Sequence, residues 1–161
     1  MSPYKEVNAF STNAALQVQA SVIEKTGKAT VNVELAPKSS SGSGYDWVNN
    51  KISFQLSTSE LPLLCAVFLG FLPDFACARP EKGFSVERQD NKLYFRATGL
   101  TKGSREKPQL VHLPVNIADA FQVCALCLAQ LQVQSGLVDG SLAIQALRGA
   151  AGLYKPDSNR C

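Results

Sequence analysis

The chain has 161 residues, 45% of them hydrophobic and 18% charged, and a net charge of +3. That length holds one domain with a sizeable core and excludes two comfortable ones, and the mild positive charge permits a polyanion partner without requiring one. Five scattered cysteines, Cys65, Cys77, Cys124, Cys127 and Cys161, argue against a disulfide framework and for a reducing intracellular setting, a bacterial cytoplasm or an organelle matrix.

In chain order, residues 1–14 are polar without a sustained period and are expected to form a mobile N-terminal arm. Leu16, Val18, Ala20 and Val22 then alternate with Gln17, Gln19 and Ser21, the pattern of a half-buried strand. Thr26-Gly27 supplies a turn, and Ala29, Val31, Val33 and Leu35 mark the return strand, with Lys25 and Lys28 at the hairpin tip. Pro37 closes that strand, and the small polar residues 38–44 predict a flexible loop. Tyr45-Asp46-Trp47 opens a strand expected over residues 48–57, with Ile52, Phe54 and Leu56 on the core side and Lys51, Ser53 and Gln55 on the other. Thr58 or Ser59 is placed to cap a short apolar helix that begins with Glu60 and stops at Gly70 to Pro73. The apolar run over residues 61–72 is broken by Pro62 and Gly70 and falls short of the roughly 20 residues a bilayer requires, so no membrane partner is expected.

Residues 74–82 read as an irregular connection, after which a second hairpin turns at Gln89-Asp90-Asn91 with Phe84, Val86, Leu93 and Phe95 inward. Lys92, Tyr94 and Arg96 alternate along its second strand and therefore project together, with Arg88 on or beside the same face. That row is either a solvated face with a cross-strand tyrosine or a platform on which a nucleobase stacks while cations hold phosphates. The loop expected over residues 99–108 adds Lys102, Arg105 and Lys107. A strand over residues 109–115 carries the single histidine, His112, which lacks a partner at ligand or triad spacing and reads as structural. Asn116 caps the next helix with Asp119 in its first turn. Apolar residues cover nearly its whole circumference, which predicts burial on all sides, most simply against other copies of the chain.

Cys124-x-x-Cys127 lies in the middle of that helix among leucines and alanines, without a second ligand pair, and reads as core rather than as a redox or zinc motif. No Walker loop, nucleophile elbow or HExxH helix is present; neither an enzymatic activity nor a cofactor is expected. Residues 136–161 predict a weak helix from about Ser141 to Leu153 followed by a disordered tail.

The order of hairpin, strand, helix, hairpin, strand, helix resembles the Whirly family of single-stranded DNA-binding proteins, and more distantly the mitochondrial guide-RNA-binding proteins of the same fold. Lys25-Thr26-Gly27-Lys28-Ala29-Thr30 and the strand through Glu34 are similar to the family's KGKAAL strand, with the lysines spaced further apart. Tyr45-Asp46-Trp47, Lys51, Phe54-Gln55-Leu56-Ser57, Glu60 and Leu69-Gly70 resemble its YDW, K, FSLS, E and LG series in order and nearly in spacing. His112-Leu113-Pro114-Val115, running into the apolar helix, resembles its IPIT end. The likeness covers about residues 15 to 135, the expected domain. It implies an α+β fold of two antiparallel β-sheets with helices packed on one side, assembled as a homo-oligomer, a four-fold tetramer, with nucleic acid along the sheets. It also implies that Lys28, Tyr45, Trp47 and Lys51 are contact residues.

The function expected is binding of single-stranded DNA, or RNA, with little sequence specificity, in strand protection or annealing and so in DNA recombination or repair. The alternative is a non-enzymatic oligomeric assembly protein that binds a protein partner. The expected contact set is Lys25, Lys28, Tyr45, Trp47, Lys51, Arg88, Lys92, Tyr94, Arg96, Lys102, Arg105 and Lys107, with no catalytic or metal-binding residue.

Overall fold

Alternation of apolar and polar positions builds the first sheet. In β2 (Ala14–Val22) and β3 (Ala29–Pro37), Leu16, Val18, Val31, Val33 and Leu35 are fully buried, while Gln17, Gln19, Asn32 and Glu34 share the opposite face. The hairpin between them turns at Gly27, whose φ of +71° suits glycine, with its N–H on the Ile23 carbonyl at 2.8 Å. β4 (Ile52–Gln55) pairs with β3 and points Ile52 and Phe54 inward. A computed structural model describes residues 5–156 of the chain.

The arm expected over residues 1–14 is corrected by β1 (Glu6–Phe10), which pairs with β2 from Glu6 opposite Gln19 to Phe10 opposite Ala15. Val7 and Ala9 enter the core, and the strand is held by backbone pairing that five residues of sequence signal weakly. Residues 1–4 lie outside the described residues. The loop over residues 38–44 closes on itself through Ser39 N–H to the Gly44 carbonyl at 2.9 Å. The strand expected over residues 48–57 is shorter than expected. Asp46 accepts from Asn49 N–H at 2.9 Å and from Asn50 Nδ2 at 2.8 Å, folding residues 46–50 into a turn ahead of β4.

The second sheet runs in the order β5 (Asp74–Arg79), β6 (Lys82–Gln89), β7 (Lys92–Thr101), β8 (Ser104–Asn116), all antiparallel. Two expectations change here. The connection over residues 74–82 is mostly β5, with Phe75 buried opposite Val86. The loop over residues 99–108 is mostly the two arms of the β7–β8 hairpin, turning at Lys102-Gly103. Phe84, Val86, Leu93 and Phe95 face inward as expected.

Helix α1 (Glu60–Phe68) follows β4; Ser59 stands at its N-cap position as expected but makes no side-chain cap bond, and the capping bonds come from Ser57. Ser57 N–H donates to Glu60 Oε1 at 2.9 Å while the Ser57 hydroxyl accepts from Glu60 N–H at 3.3 Å, a reciprocal capping box. Helix α2 (Ile117–Ser135) is capped as the sequence predicts, Asn116 Oδ1 accepting from Asp119 N–H at 2.8 Å. Helix α3 (Gly140–Ala151), expected as the weak helix, packs on α1 and α2 with Ala143 and Leu147 buried. Residues 157–161, including Cys161, lie outside the described residues.

An aromatic chain ties the layers together. Phe54 of the first sheet meets Phe84 of the second at 5.6 Å between ring centroids, Phe84 meets Phe95 at 6.0 Å, and Phe68 of α1 meets Phe95 at 6.4 Å. α2 crosses both sheets, anchored by Gln130 to the Thr30 carbonyl at 2.7 Å and by Gln134 to the Ala29 carbonyl at 2.9 Å. Its 19 residues are long and apolar enough to cross a membrane by composition, yet Val123, Leu126, Cys127 and Leu131 are buried against the rest of the chain. Within one chain the burial is one-sided: Ile117, Phe121 and Val133 remain 66%, 68% and 60% exposed.

Candidate nucleic-acid interface

The register of the second sheet determines what its outer face presents. Lys92 stands between Gln89 and Asn116, Tyr94 between Glu87 and Pro114, and Arg96 between Ser85 and His112. The Arg96 guanidinium lies over the Tyr94 ring, 5.4 Å from its centroid, and the Tyr94 hydroxyl is hydrogen-bonded to His112 Nδ1. The Tyr94 and His112 rings are 5.7 Å apart and tilted by 33°. The row foreseen from alternation is therefore assembled, and strand pairing adds a member, His112, that its isolation in the sequence had assigned to structure alone. Acidic groups occupy the β5–β6 side of this face, Asp74 opposite Glu87. The cations stand on β7.

A second cationic feature lies where the sheets meet. Lys51, Lys82, Lys102 and Arg105 line a cleft of about 260 Å³ whose apolar wall includes Val48, Ile52 and Leu100. The β7–β8 turn is held against residues 46–50 by Gly103 N–H on the Asn49 carbonyl at 2.7 Å and by the Thr101 hydroxyl on Asn50 Oδ1 at 2.7 Å. A side chain at Gly103 would press into Asn50, its Cβ only 2.8 Å from Oδ1. Lys82 was not foreseen. Its ammonium donates to the Ser53 carbonyl and sits 5.0 Å from the Phe54 ring centroid, and burial, with Arg79 nearby, lowers its pKa. Sheet packing, which no local pattern encodes, brings it there.

The other expected contacts are dispersed. Lys25 and Lys28 are exposed at the β2–β3 tip. Lys51 pairs with Glu34 at 2.8 Å; burial pushes the Glu34 carboxyl up, but the Lys51 ammonium and the Ser53 hydroxyl outweigh it and hold its pKa below the usual carboxylate value. Tyr45 and Trp47 are half-buried; the Tyr45 hydroxyl donates to the Ser11 carbonyl at 2.6 Å, and its ring meets Phe10 at 5.6 Å. Lys107 is exposed near the start of β8. Arg88 is engaged elsewhere: its Nη1 donates to the Val67 and Phe68 carbonyls at 2.9 and 3.1 Å, satisfying the C-terminal end of α1. The expected place beside the outer face is corrected: in step with Phe84 and Val86, and opposite Leu93, Arg88 points to the inner, helix-covered side, where the open carbonyls of α1 claim its guanidinium.

The outer face of the first sheet has a different character. Glu6 accepts from Asn8 at 3.0 Å and from Gln17 at 2.7 Å, Gln19 donates to Gln17 at 3.0 Å, and the Ser53 hydroxyl donates to Glu34 at 2.7 Å. These amides and carboxylates bond to one another. Among the thiols, burial pushes Cys65 and Cys127 far up and moves Cys77 and Cys124 to about 11, the behaviour of core cysteines rather than nucleophiles.

No protein-family profile matches the sequence, and no curated protein sequence matches it. Solved structures do. WHY3 from Arabidopsis thaliana superposes with a TM-score of 0.60 at 18% identity, covering 92% of this chain and 96% of that one. The plant transcriptional regulator PBF-2 gives 0.59 at 16% identity over 96% and 98%, and trypanosome MRP1/MRP2 gives 0.63 at 10% identity over 86% and 90%. At such identities the likeness is one of architecture, and the chain has the Whirly-like α+β fold, two antiparallel sheets with helices packed on one side, that its residues 45–70 resemble.

Proposed function

We propose that this chain binds single-stranded nucleic acid, DNA before RNA, with little sequence specificity. The observation that carries the reading is the Lys92–Tyr94–Arg96 row on the outer face of the second sheet, where a cation, an aromatic ring and a second cation project together. A base of any kind can stack on the Tyr94–Arg96 pair, and the cations neutralise phosphates, so affinity arises without reading base edges. The cationic cleft between the sheets supplies a second stretch of positive surface, and an architecture shared with a transcriptional regulator supports the reading. The role inferred is non-enzymatic, protecting or annealing strands in recombination or repair.

The protein is proposed to act as a homo-oligomer, a tetramer, because Ile117, Phe121 and Val133 leave one side of α2 apolar and open. The same surface favours the second reading, an assembly protein whose partner is another protein. Fluorescence anisotropy with single-stranded and duplex DNA of one sequence tests the choice. Preference for the single strand, weakening with salt, is expected; equal affinity for both, or none for either, would overturn the reading.

A further inference from the structure

We propose that Tyr94, Arg96 and His112 form a proton-linked phosphate-binding site on the outer face of β7–β8, with His112 as a direct contact residue for a phosphodiester of the bound strand. The proposal rests on the nucleic-acid-binding reading and assigns chemistry to one point on that surface. The Tyr94 hydroxyl and His112 Nδ1 share a hydrogen bond, and Arg96, directly opposite His112 across the strand pair, covers the Tyr94 ring. Four neighbours complete the surroundings: Glu87 and Ser85 face the group from β6, Lys92 from β7 and Pro114 from β8.

In the neutral imidazole one phosphate donor is always missing. With the ring hydrogen on Nε2, the Tyr94 hydroxyl must donate inward to Nδ1 and has nothing left for a ligand. With the hydrogen on Nδ1, that N–H donates to the tyrosine oxygen, but Nε2, on the far side of the ring, presents a lone pair that repels a phosphate oxygen. Adding one proton resolves both cases. The imidazolium donates from Nδ1 to the tyrosine oxygen, which frees the tyrosine O–H, and it keeps an N–H on Nε2. The site gains a positive charge beside Arg96 and offers two donors where it offered one. Glu87, opposite Tyr94, offsets part of the charge of Arg96 and Lys92, so the extra proton is a large fractional change in local potential. Histidine is the side chain whose charge ordinarily changes between about pH 5 and 8, which sets the window for the test.

The test is anisotropy with oligothymidylate, whose bases do not titrate in this window, carrying a rhodamine label and held at constant ionic strength. Wild-type affinity should rise about tenfold from about pH 8 to about pH 6. The slope of log affinity against log salt should steepen by about 0.7, the value for one further phosphate neutralised on a single strand. His112→Gln, which keeps a neutral donor, should bind at both pH values as the wild type does at the higher one. The wild-type salt slopes need no variant, so a folding defect in His112→Gln leaves the proposal testable. A pH-independent wild type, or a variant that keeps the full rise, would overturn the proposal while leaving strand binding intact. Failure to bind at either pH would overturn both.

Discussion

The two sheets share strand number and antiparallel order, yet their outer faces differ in whether the polar groups are already satisfied. On the first sheet, Glu6, Asn8, Gln17 and Gln19 bond to one another and Glu34 holds Lys51 and Ser53, and among the described residues only Asn32 Oδ1 is left there as a buried side-chain atom without a partner. A ligand arriving there would have to break protein hydrogen bonds before making its own. On the second sheet, Lys92 and Arg96 stand beside an aromatic face and, among the described residues, form no ion pair with a carboxylate. Similar strand architecture thus yields one face occupied with itself and one with donors to spare. The sheets differ in outer-face residues rather than in backbone.

The largest expected effect separates those faces directly. Tyr94→Ala should weaken single-strand binding by about 1–3 kcal/mol, the range for a base stacked on an aromatic ring, while Gln17→Ala on the first sheet should change it by less than about twofold. Paired anisotropy titrations on the two variants read the difference. Equal losses would show that both faces contact the strand.

Next comes a variant that touches the fold alone. Glu60 carries both halves of the α1 cap and a bidentate pair with Arg79 at 2.7 and 2.8 Å; the Arg79 guanidinium draws its pKa down to about 2 against the opposing effect of burial. A carboxyl whose folded pKa is depressed contributes stability above its unfolded value of 4.5 and loses it as pH falls toward about 2. Glu60→Gln should therefore lower stability by about 1–2 kcal/mol near pH 7, and its gap from wild type in urea midpoint should close between pH 4.5 and about 2. Strand affinity at pH 7 should not move.

Arg88→Ala sharpens the boundary between cations that bind and cations that hold the fold. Its guanidinium serves the α1 carbonyls, so the expected result is a loss of about 1 kcal/mol in thermal stability with affinity retained. A loss of affinity at unchanged Tm would return Arg88 to the interface. The smallest effect is assigned to Lys25→Ala with Lys28→Ala at the remote hairpin tip, where affinity should fall by less than about threefold and only at low salt.

Much of this architecture is legible in the residues. Leu16 to Val22 and Ala29 to Leu35 alternate long enough to define a hairpin, and Asn116 with Asp119 announces α2. What escapes is short or depends on distant partners. β1 and β5 alternate over only five and six residues, too few to stand out from surrounding polar sequence. The hairpin arms on either side of Gly103 carry so many cations and small residues that they imitate a loop, and Ser57 is masked as a cap by Thr58 and Ser59. At the interface, the Lys92–Tyr94–Arg96 row follows from period two alone. His112 does not, because the β7–β8 register puts it beside residues far away in sequence; nor does Lys82, which reaches Phe54 only once the sheets pack. Arg88 shows the converse: grouped by its charge with the outer-face cations, it follows Phe84 and Val86 to the inner side, where the end of α1 claims it.

The location of the strand is best measured by photocrosslinking. Oligothymidylate with bromodeoxyuridine substitutions would be bound, irradiated, and mapped by mass spectrometry of tryptic peptides. Cleavage after Lys92 and Arg96 isolates residues 93–96, so an adduct on Tyr94 falls in a four-residue peptide of its own. The predicted result is adducts in that peptide and in the peptide containing His112, lost on competition with unlabelled single strand. Adducts confined to β2 and β3 of the first sheet, under conditions where binding is complete, would contradict it.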